Sequence, residues 1–327
     1  MNIKQAILKA FHDRPNQFIS GEELSHTCSC TRTAIWKHIE ELRQEGYDIE
    51  AVRKSGYRLV MAPDRISSEE IQVGLETKRI GHQVITYETV VSTQILAHEA
   101  ANNGVPEGTL ILAEKQTGGK GRLGRPWHSP KGTGIWMSLI LRPEIPLPKA
   151  SQMTLLTAVA MARTIQKHVG VEAQIKWPND IFIDGKKVCG ILTELNAESD
   201  RINYLVIGIG TNVNLVESDF PPELQQIGTS LQIAAGKPVR RASFIQDFCR
   251  QFEELYDLYL QVGFSPIKTA WEASAYSIGK QVHVRTLQTA IYGTAIGLDS
   301  EGVLMVEDEM GKIHKVYSAD VEYGAKT

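Results

Sequence analysis

The chain has 327 residues, 42% of them hydrophobic, and a formal net charge of −3. That is longer than one typical domain, with ample material for a buried core, and the charge balance argues neither for nor against a nucleic-acid partner. The longest apolar runs, 109–113 and 134–141, fall well short of the roughly 20 residues that span a bilayer, and the four cysteines, Cys28, Cys30, Cys189 and Cys249, are too few and too scattered for a disulfide framework.

Ile3, Ile7, Leu8 and Phe11 recur at helical spacing until Pro15-Asn16 breaks the pattern. The opening residues thus run into an amphipathic helix rather than a signal peptide, so a cytoplasmic protein with reduced thiols is expected. Ser20-Gly21-Glu22-Glu23 has capping-box form, with Ser20 accepting from the Glu23 N–H and Glu23 reaching back. A second short helix should then run to about Thr27, with Cys28-Ser29-Cys30 as the turn. Ala34, Ile35, Ile39 and Leu42 mark the apolar face of a third helix that stops at Gly46, and the opposite face carries Arg32, Thr33, Trp36, Lys37 and Arg43.

Two strands over 47–60, around Arg53-Lys54-Ser55-Gly56, complete a winged helix-turn-helix pattern. The third helix is expected to enter a DNA major groove. Thr31, Arg32, Thr33, Trp36 and Lys37 on the helix, with Arg53 and Lys54 on the wing, make the DNA-binding face; Arg32, Thr33 and Lys37 are best placed for base edges. Residues 1–60 hold nine Lys/Arg against eight Asp/Glu, so the reading rests on which face carries the cations. A protein-docking domain with a solvated polar face is the alternative. His26, Cys28 and Cys30 lack a second ligand pair at zinc spacing.

Pro63 marks a boundary, and Ser67-Ser68-Glu69-Glu70 caps a new helix. A strand over 84–91 empties into a helix over 93–101, leaving N–H groups and hydroxyls at Ser92-Thr93-Gln94 for a polar ligand edge, although plain capping by Ser92 also explains the segment. A strand over 109–114 leads to Gln116, whose amide can serve an uncharged heterocycle. There follows Gly118-Gly119-Lys120-Gly121-Arg122-Leu123-Gly124-Arg125-Pro126-Trp127. Repeated glycine can turn backbone N–H groups toward one small anion, with three interleaved cations adding charge. The string does not fit GxxxxGK[ST], and a solvated basic loop is the bland alternative. Trp127 is either an apolar wall for a ligand or a core tryptophan.

Residues 134–142 read as a buried strand, 151–168 as a long helix and 173–175 as a short strand. In Lys176-Trp177-Pro178-Asn179-Asp180 the proline stiffens a turn that projects Lys176, Asn179 and Asp180. Lys176 suits a phosphate oxygen and Asp180 a magnesium ion. Lys187 opens the return strand, where lysine is ordinarily a solvated charge. The strand over 204–214 carries Gly208, Gly210, Asn212 and Asn214, small or polar residues that admit a nucleotide. An amphipathic helix over 244–260 and a run of short strands over 279–323, suggesting a small barrel, follow.

The strings GGKGRLGRPW at 118–127 and KWPND…GKKVCGIL at 176–192 resemble those of the biotin protein ligases, and the N-terminal segment resembles the bifunctional members that also repress the biotin operon. The resemblance implies an α+β chain: a winged helix-turn-helix DNA-binding domain at 1–63, a central mixed-sheet ligase domain of class II synthetase type at 64–272, and a small SH3-like β-barrel at 273–327. It implies ATP and Mg2+ as cofactors, biotin as substrate, and biotinyl-5′-AMP as both intermediate and corepressor. It places Ser92, Thr93, Gln94, Gln116, Lys120, Gly121, Arg122, Trp127 and Lys187 on biotin. Gly119, Arg125, Asn179 and Asn212 go to ATP or the adenylate, Asp180 goes to magnesium, and Arg122, Lys176 and Lys187 take the catalytic roles. Gln94 stands where asparagine is common, and cysteine flanks Ser29 where small residues are usual. The implied partners are a biotin carboxyl carrier protein domain, operator DNA and a second copy upon adenylate binding, with no membrane. A lipoyl or octanoyl ligase and a ligand-sensing transcription factor without catalysis are the rival readings.

Overall fold

The computed structural model describes residues 2–199, 201–285, 290–317 and 319–323. The chain divides into two compact units, Met1–Glu76 with Arg240–Gln246, and Thr77–Val239 with Asp247–Thr327.

In the first unit, α1 (Ile3–Asp13) opens on a complete capping box, in which Asn2 accepts from the Gln5 N–H and Gln5 from the Asn2 N–H, both at 2.8 Å. Ser20 caps α2 (Gly21–Thr27) by accepting from the Glu23 N–H at 3.0 Å. Glu23 does not complete the expected box; its carboxylate pairs with Arg14, where a guanidinium offers a stronger partner than one backbone donor. Thr31 caps α3 (Arg32–Gln44), accepting from the Ala34 N–H at 3.2 Å. β1 (Asp48–Val52) and β2 (Gly56–Met61) pair antiparallel as the wing, with Ile19 bridging to Tyr57 beside them. Gly56 has φ +106°, and a Cβ there would lie 2.1 Å from the Ile19 carbonyl oxygen, so no other residue fits. Ile7, Leu24, Ile35, Ile39 and Leu42 fill the core, each 1% exposed or less. Burying each contributes about 1.5–3 kcal/mol.

Arg43, expected on the polar face of α3, is turned back: Nε donates to the Ile49 carbonyl at 3.0 Å and Nη1 to Glu40 at 2.6 Å. It braces helix to wing instead of standing free. The unit is completed by α4 (Ser68–Val73) and by residues 240–246, where Arg241, 1% exposed, donates Nε to Asp64 at 2.9 Å.

The second unit is built on a seven-stranded mixed sheet. Its elements are β3 (Val84–Val90), α5 (Thr93–Asn102), β4 (Leu110–Gln116), β5 (Gly134–Leu141), α6 (Ala150–Val169), β6 (Gln174–Lys176), β7 (Asp180–Ile183), β8 (Lys186–Glu198) and β9 (Arg201–Asn212). α7 (Leu231–Ala235), α8 (Arg241–Val262) and α9 (Ser265–Ala273) follow. Strand order is β3-β4-β5-β9-β8-β7-β6, with only β3 and β4 parallel among these ladders. Every residue of β5 is buried, consistent with its near-continuous apolar run.

Strand alternation explains where the ligand space lies. Ile111, Ile140, Tyr204 and Val206 pack against Ala97 and Ala101 of α5. Two residues back from Ile140 on the same face is Ser138; two and four on from Val206 are Gly208 and Gly210. Along these strands the face therefore passes from large apolar side chains under α5 to a floor of serine and glycine that lines a cavity.

β10 (Gln281–Arg285), β11 (Ala290–Leu298), β12 (Leu304–Glu307), β13 (Ile313–Val316) and β14 (Asp320–Tyr323) form an antiparallel sheet in the order β13-β12-β11-β10-β14. Among the described residues no ladder closes β13 on β14, so what is observed is a five-stranded sheet; residues 286–289, 318 and 324–327 of the expected barrel lie outside the described residues. Among the described residues no helix is long and apolar enough to cross a membrane.

Candidate active site

The start of α5 is sunk into the sheet by a chain of polar contacts. Ser92 caps the helix by accepting from the Gln94 N–H at 3.3 Å, and Thr93 donates its N–H to Gln116 Oε1 at 2.9 Å. Ser138 Oγ lies 2.9 Å from Thr93 Oγ1 and donates to Gln94 Oε1 at 2.9 Å, while Gln94 Nε2 donates to the Val206 carbonyl at 3.1 Å. Gln116 Nε2 donates to Ser129 Oγ at 3.1 Å. Gly208 serves this network: a Cβ there would stand 2.6 Å from Gln94 Oε1. Its small size admits Gln94, where a nucleotide had been expected.

The glycine-rich loop folds on itself around a single 3-10 turn at Arg122–Gly124. Gly118 donates its N–H to the Val91 carbonyl at 2.8 Å, Gly121 to the Arg125 carbonyl at 2.8 Å, and Trp127 to the Gly119 carbonyl at 2.9 Å. These donors are spent inside the protein, so the expected backbone cradle for an anion is not formed at them. The cationic side chains Lys120, Arg122 and Arg125 do line the cavity. Gly119 does not line it; a Cβ there would lie 2.9 Å from Gln116 Nε2, Ser129 Oγ and the Trp127 carbonyl.

Trp127 lies across Gly190 and Gly210, which face each other directly in the β8–β9 ladder. A Cβ on Gly210 would come within 2.4 Å of the indole Nε1, and one on Gly190 within 3.0 Å of the ring. The indole is thus laid flat on bare backbone, and its Nε1 is buried with no hydrogen-bond partner. Gly210→Ala is expected to lift the ring off this floor and to weaken ligand binding by about 5- to 150-fold, in keeping with the 1–3 kcal/mol cost of overpacking. Calorimetric titration checks this, and unchanged affinity would contradict the close packing.

The second motif forms the tight β6–β7 hairpin, with Lys176 directly opposite Asp180 and a cis Trp177–Pro178 peptide in the turn. Asp180 is in turn opposite Gly190 on β8, so one row across the sheet runs Lys176, Asp180, Gly190, Gly210. Lys176 Nζ lies 5.3 Å from the centre of the Phe182 ring. Lys187 Nζ is 2.8 Å from Asp180 Oδ2 and 5.1 Å from the centre of the Trp127 ring. Asp180 Oδ1 is buried and has no hydrogen-bond partner. Arg122 Nη1 donates to Asn179 Oδ1 at 3.3 Å, while Asn179 Nδ2 donates to the Ile191 carbonyl at 2.8 Å. The two sequence motifs, 57 residues apart at this contact, therefore meet.

Together these side chains line one cavity of about 500 Å³, which also takes in Lys120, Gly121, Arg125 and Asn212. Asn212 donates Nδ2 to the Thr229 carbonyl at 3.0 Å, pinning the 213–230 segment to the sheet. That size suits a small molecule. Sequence reading missed Ser138 in the lining and Ser129 behind Gln116, and missed the apolar wall of Phe220, Leu224 and Ile227 with Ala319 and Val321. Only Ser138 carried a signal, as the lone hydroxyl in an apolar strand. Burial pushes the Cys189 thiol up to about 12, away from the thiolate form that a nucleophile needs, and all four cysteines are free. Among the described residues no three His, Cys, Asp or Glu side chains gather as a metal cluster.

In the winged unit, Thr33, Trp36, Lys37, Arg53 and Lys54 are exposed, Trp36 to 57%. Two members of the expected DNA face are already engaged: Thr31 as the helix cap, and Arg32 in an ion pair with Glu22 at 2.8 Å.

Three family models match along the chain: an HTH domain at residues 4–58, the biotin/lipoate A/B protein ligase family at 86–212, and the biotin protein ligase C terminal domain at 277–324. The bifunctional ligase/repressor BirA of Bacillus subtilis is 52% identical over 322 residues, covering 98% of this chain and 99% of that protein. Its Escherichia coli counterpart is 30% identical, covering 90% and 89%. A biotin protein ligase from Aquifex aeolicus, solved in complex with biotin and ATP, superposes with a TM-score of 0.65 at 28% identity, covering 75% of this chain and 100% of that one. With winged unit, ligase motifs and C-terminal sheet all matched in order, the chain belongs to the family of bifunctional biotin ligase/repressors.

Proposed function

We propose that this biotin ligase and repressor performs both tasks from one retained molecule, biotinyl-5′-AMP. The observation that carries the reading is the meeting of both ligase motifs, through Arg122 and Asn179, on a cavity that also holds the Ser92, Thr93 and Gln116 polar set. The biotin carboxylate attacks the α-phosphorus of ATP and pyrophosphate leaves. Two anions must approach, so the barrier is one of charge and orientation. Lys187, Lys176 and Arg122 supply positive charge around the reacting oxygens, with Lys120 and Arg125 at the rim. Gln116, Ser92 and Thr93 hold the ureido ring, Gln94 shapes its pocket, Gly121 leaves space beside it and Trp127 forms its apolar wall. Asn179 and Asn212 position the nucleotide side, while Gly119, packed behind the cavity against Gln116 and Ser129, shapes the loop instead.

The orphaned, buried Oδ1 of Asp180 fits a magnesium ion, which Asp180 would hold beside the triphosphate. Bound there, it would supply positive charge to the phosphates. The mixed anhydride is prone to hydrolysis, and the 118–127 loop shields it. A lysine amine of the biotin carboxyl carrier protein domain of acetyl-CoA carboxylase then attacks the acyl carbon, forming the amide and releasing AMP. Pyrophosphate release on adding biotin, ATP and magnesium tests the first half-reaction; release with lipoate but not biotin would overturn it. The polar set in the pocket favours the ureido ring over an aliphatic chain.

Adenylate binding orders the loop and favours a homodimer, whose two winged units meet a two-fold operator. The exposed Trp36, Thr33 and Lys37 on α3 and Arg53 and Lys54 on the wing support that reading. Lys54→Ala on the wing is expected to weaken binding to every duplex alike and to lower the slope of log K against log salt by about 1. Anisotropy titrations across salt check it, and an unchanged slope would remove Lys54 from the phosphate contacts. Domain boundaries at 1–63, 64–272 and 273–327 belong to the same proposal, since each matched family segment falls within one of them, as does action in the cytoplasm.

A further inference from the structure

We infer that Ser138 is a positioning residue for biotin recognition, acting through Thr93 by fixing the direction of its hydroxyl proton. The inference rests on the ligase reading above and concerns a residue outside both motifs. Ser138 is fully buried on β5, in the register position opposite Gly208 on β9, and it lines the cavity beside Thr93 and Gln94.

Proton bookkeeping settles the wiring. Gln94 Nε2 faces the Val206 carbonyl at 3.1 Å and the Leu192 carbonyl at 3.4 Å, groups that only accept. Its Oε1 is therefore the atom turned to Ser138, and the Ser138 hydroxyl must donate to it at 2.9 Å. A hydroxyl has one proton. The 2.9 Å contact between Ser138 Oγ and Thr93 Oγ1 is consequently made by the Thr93 proton. That proton points away from Gln116 Oε1, which is the longer contact at 3.2 Å and already accepts the Thr93 N–H at 2.9 Å.

Thr93 thus presents a lone pair to the cavity and cannot present a proton. Ser92 is the converse case: its Oγ accepts from the Gln94 N–H at 3.3 Å, which leaves the hydroxyl proton for a ligand. An acceptor at Thr93 next to a donor at Ser92 matches the adjacent N–H and C=O of a cyclic urea. A carboxylic or aliphatic chain lacks that pair. Without Ser138, the Thr93 proton would swing to Gln116 Oε1 and Gln94 Oε1 would lose its buried donor, so the polarity of the wall would no longer be fixed.

The test is steady-state pyrophosphate release by the full chain with biotin, ATP, magnesium and a biotin carrier domain as acceptor, comparing wild type with Ser138→Ala, Ser138→Thr, Thr93→Val and the double variant. Ser138→Ala is expected to raise KM for biotin roughly tenfold, the upper range for one hydrogen bond, with less than a twofold change in KM for ATP. Ser138→Thr, which keeps the hydroxyl, restores the wild-type KM. In the double-mutant cycle, Ser138→Ala adds nothing to Thr93→Val. Should Ser138→Ala fail to fold, Ser138→Cys, similar in size and a weak donor, takes its place with the same expectation. An unchanged biotin KM, equal rises in both KM values, or additive effects of the two substitutions would overturn the inference alone. A wild-type chain that releases no pyrophosphate with biotin would overturn the ligase reading beneath it.

Discussion

Arg122→Gly is expected to speed escape of biotinyl-5′-AMP by roughly 10- to 150-fold, the range corresponding to one charge-assisted hydrogen bond of 1.5–3 kcal/mol. Arg122 donates from the loop to the second motif, through Asn179 Oδ1 at 3.3 Å. Asn179 is itself fastened to the Ile191 carbonyl at 2.8 Å. Removing the guanidinium therefore unties the loop from the sheet as well as deleting a charge, and an added glycine makes the loose state easier to reach. Released adenylate acylates any accessible amine, so unrelated proteins such as albumin should become biotinylated in the same mixture. A chase with unlabelled biotin measures the escape rate directly. Wild-type retention with no labelling of albumin would show that Arg122 is not what holds the loop down.

Lys187→Gln is expected to cut adenylate formation by about 10²–10³-fold, the cost of removing one preorganised electrostatic group from a reacting centre. The geometry makes the effect specific. Lys187 Nζ is set between Asp180 Oδ2 at 2.8 Å and the face of Trp127 at 5.1 Å, so its position is fixed before ligand arrives. Glutamine keeps most of the length and the polarity and loses the charge. Biotin affinity, which depends chiefly on the ureido contacts, should fall far less than the turnover rate. Biotin-dependent exchange of pyrophosphate into ATP gives the rate and calorimetry gives the affinity; equal losses in both would assign Lys187 to ground-state binding.

How much of this was legible in the sequence depended on how local the determining contacts are. The three helices of the winged unit follow from the spacing of Ile7, Ile35, Ile39 and Leu42 and from the cap at Ser20, all of which act within a few residues, whereas Thr31, read as part of the DNA face, proves to be the cap of α3. Lys120, Arg122, Arg125, Lys176 and Lys187 of the two ligase motifs were readable as types and do line a common cavity. What escaped notice depends on contacts between distant strands. Gln94 is held by Val206, 112 positions away, and Gly208 is small on its account. The glycines of the loop suggested free N–H groups, yet at Gly118 and Gly121 those groups are satisfied by Val91 and Arg125. The wall of Phe220, Leu224 and Ile227 comes from an irregular segment with no periodicity to mark it.

The most direct test of one molecule serving both roles is native mass spectrometry of the full chain after incubation with biotin, ATP and magnesium. The account predicts a chain that carries the mass of one biotinyl-5′-AMP through buffer exchange, with the dimer enriched in that adduct. A chain that turns over ATP yet emerges with no adenylate bound, or a dimer equally populated without it, would contradict the account.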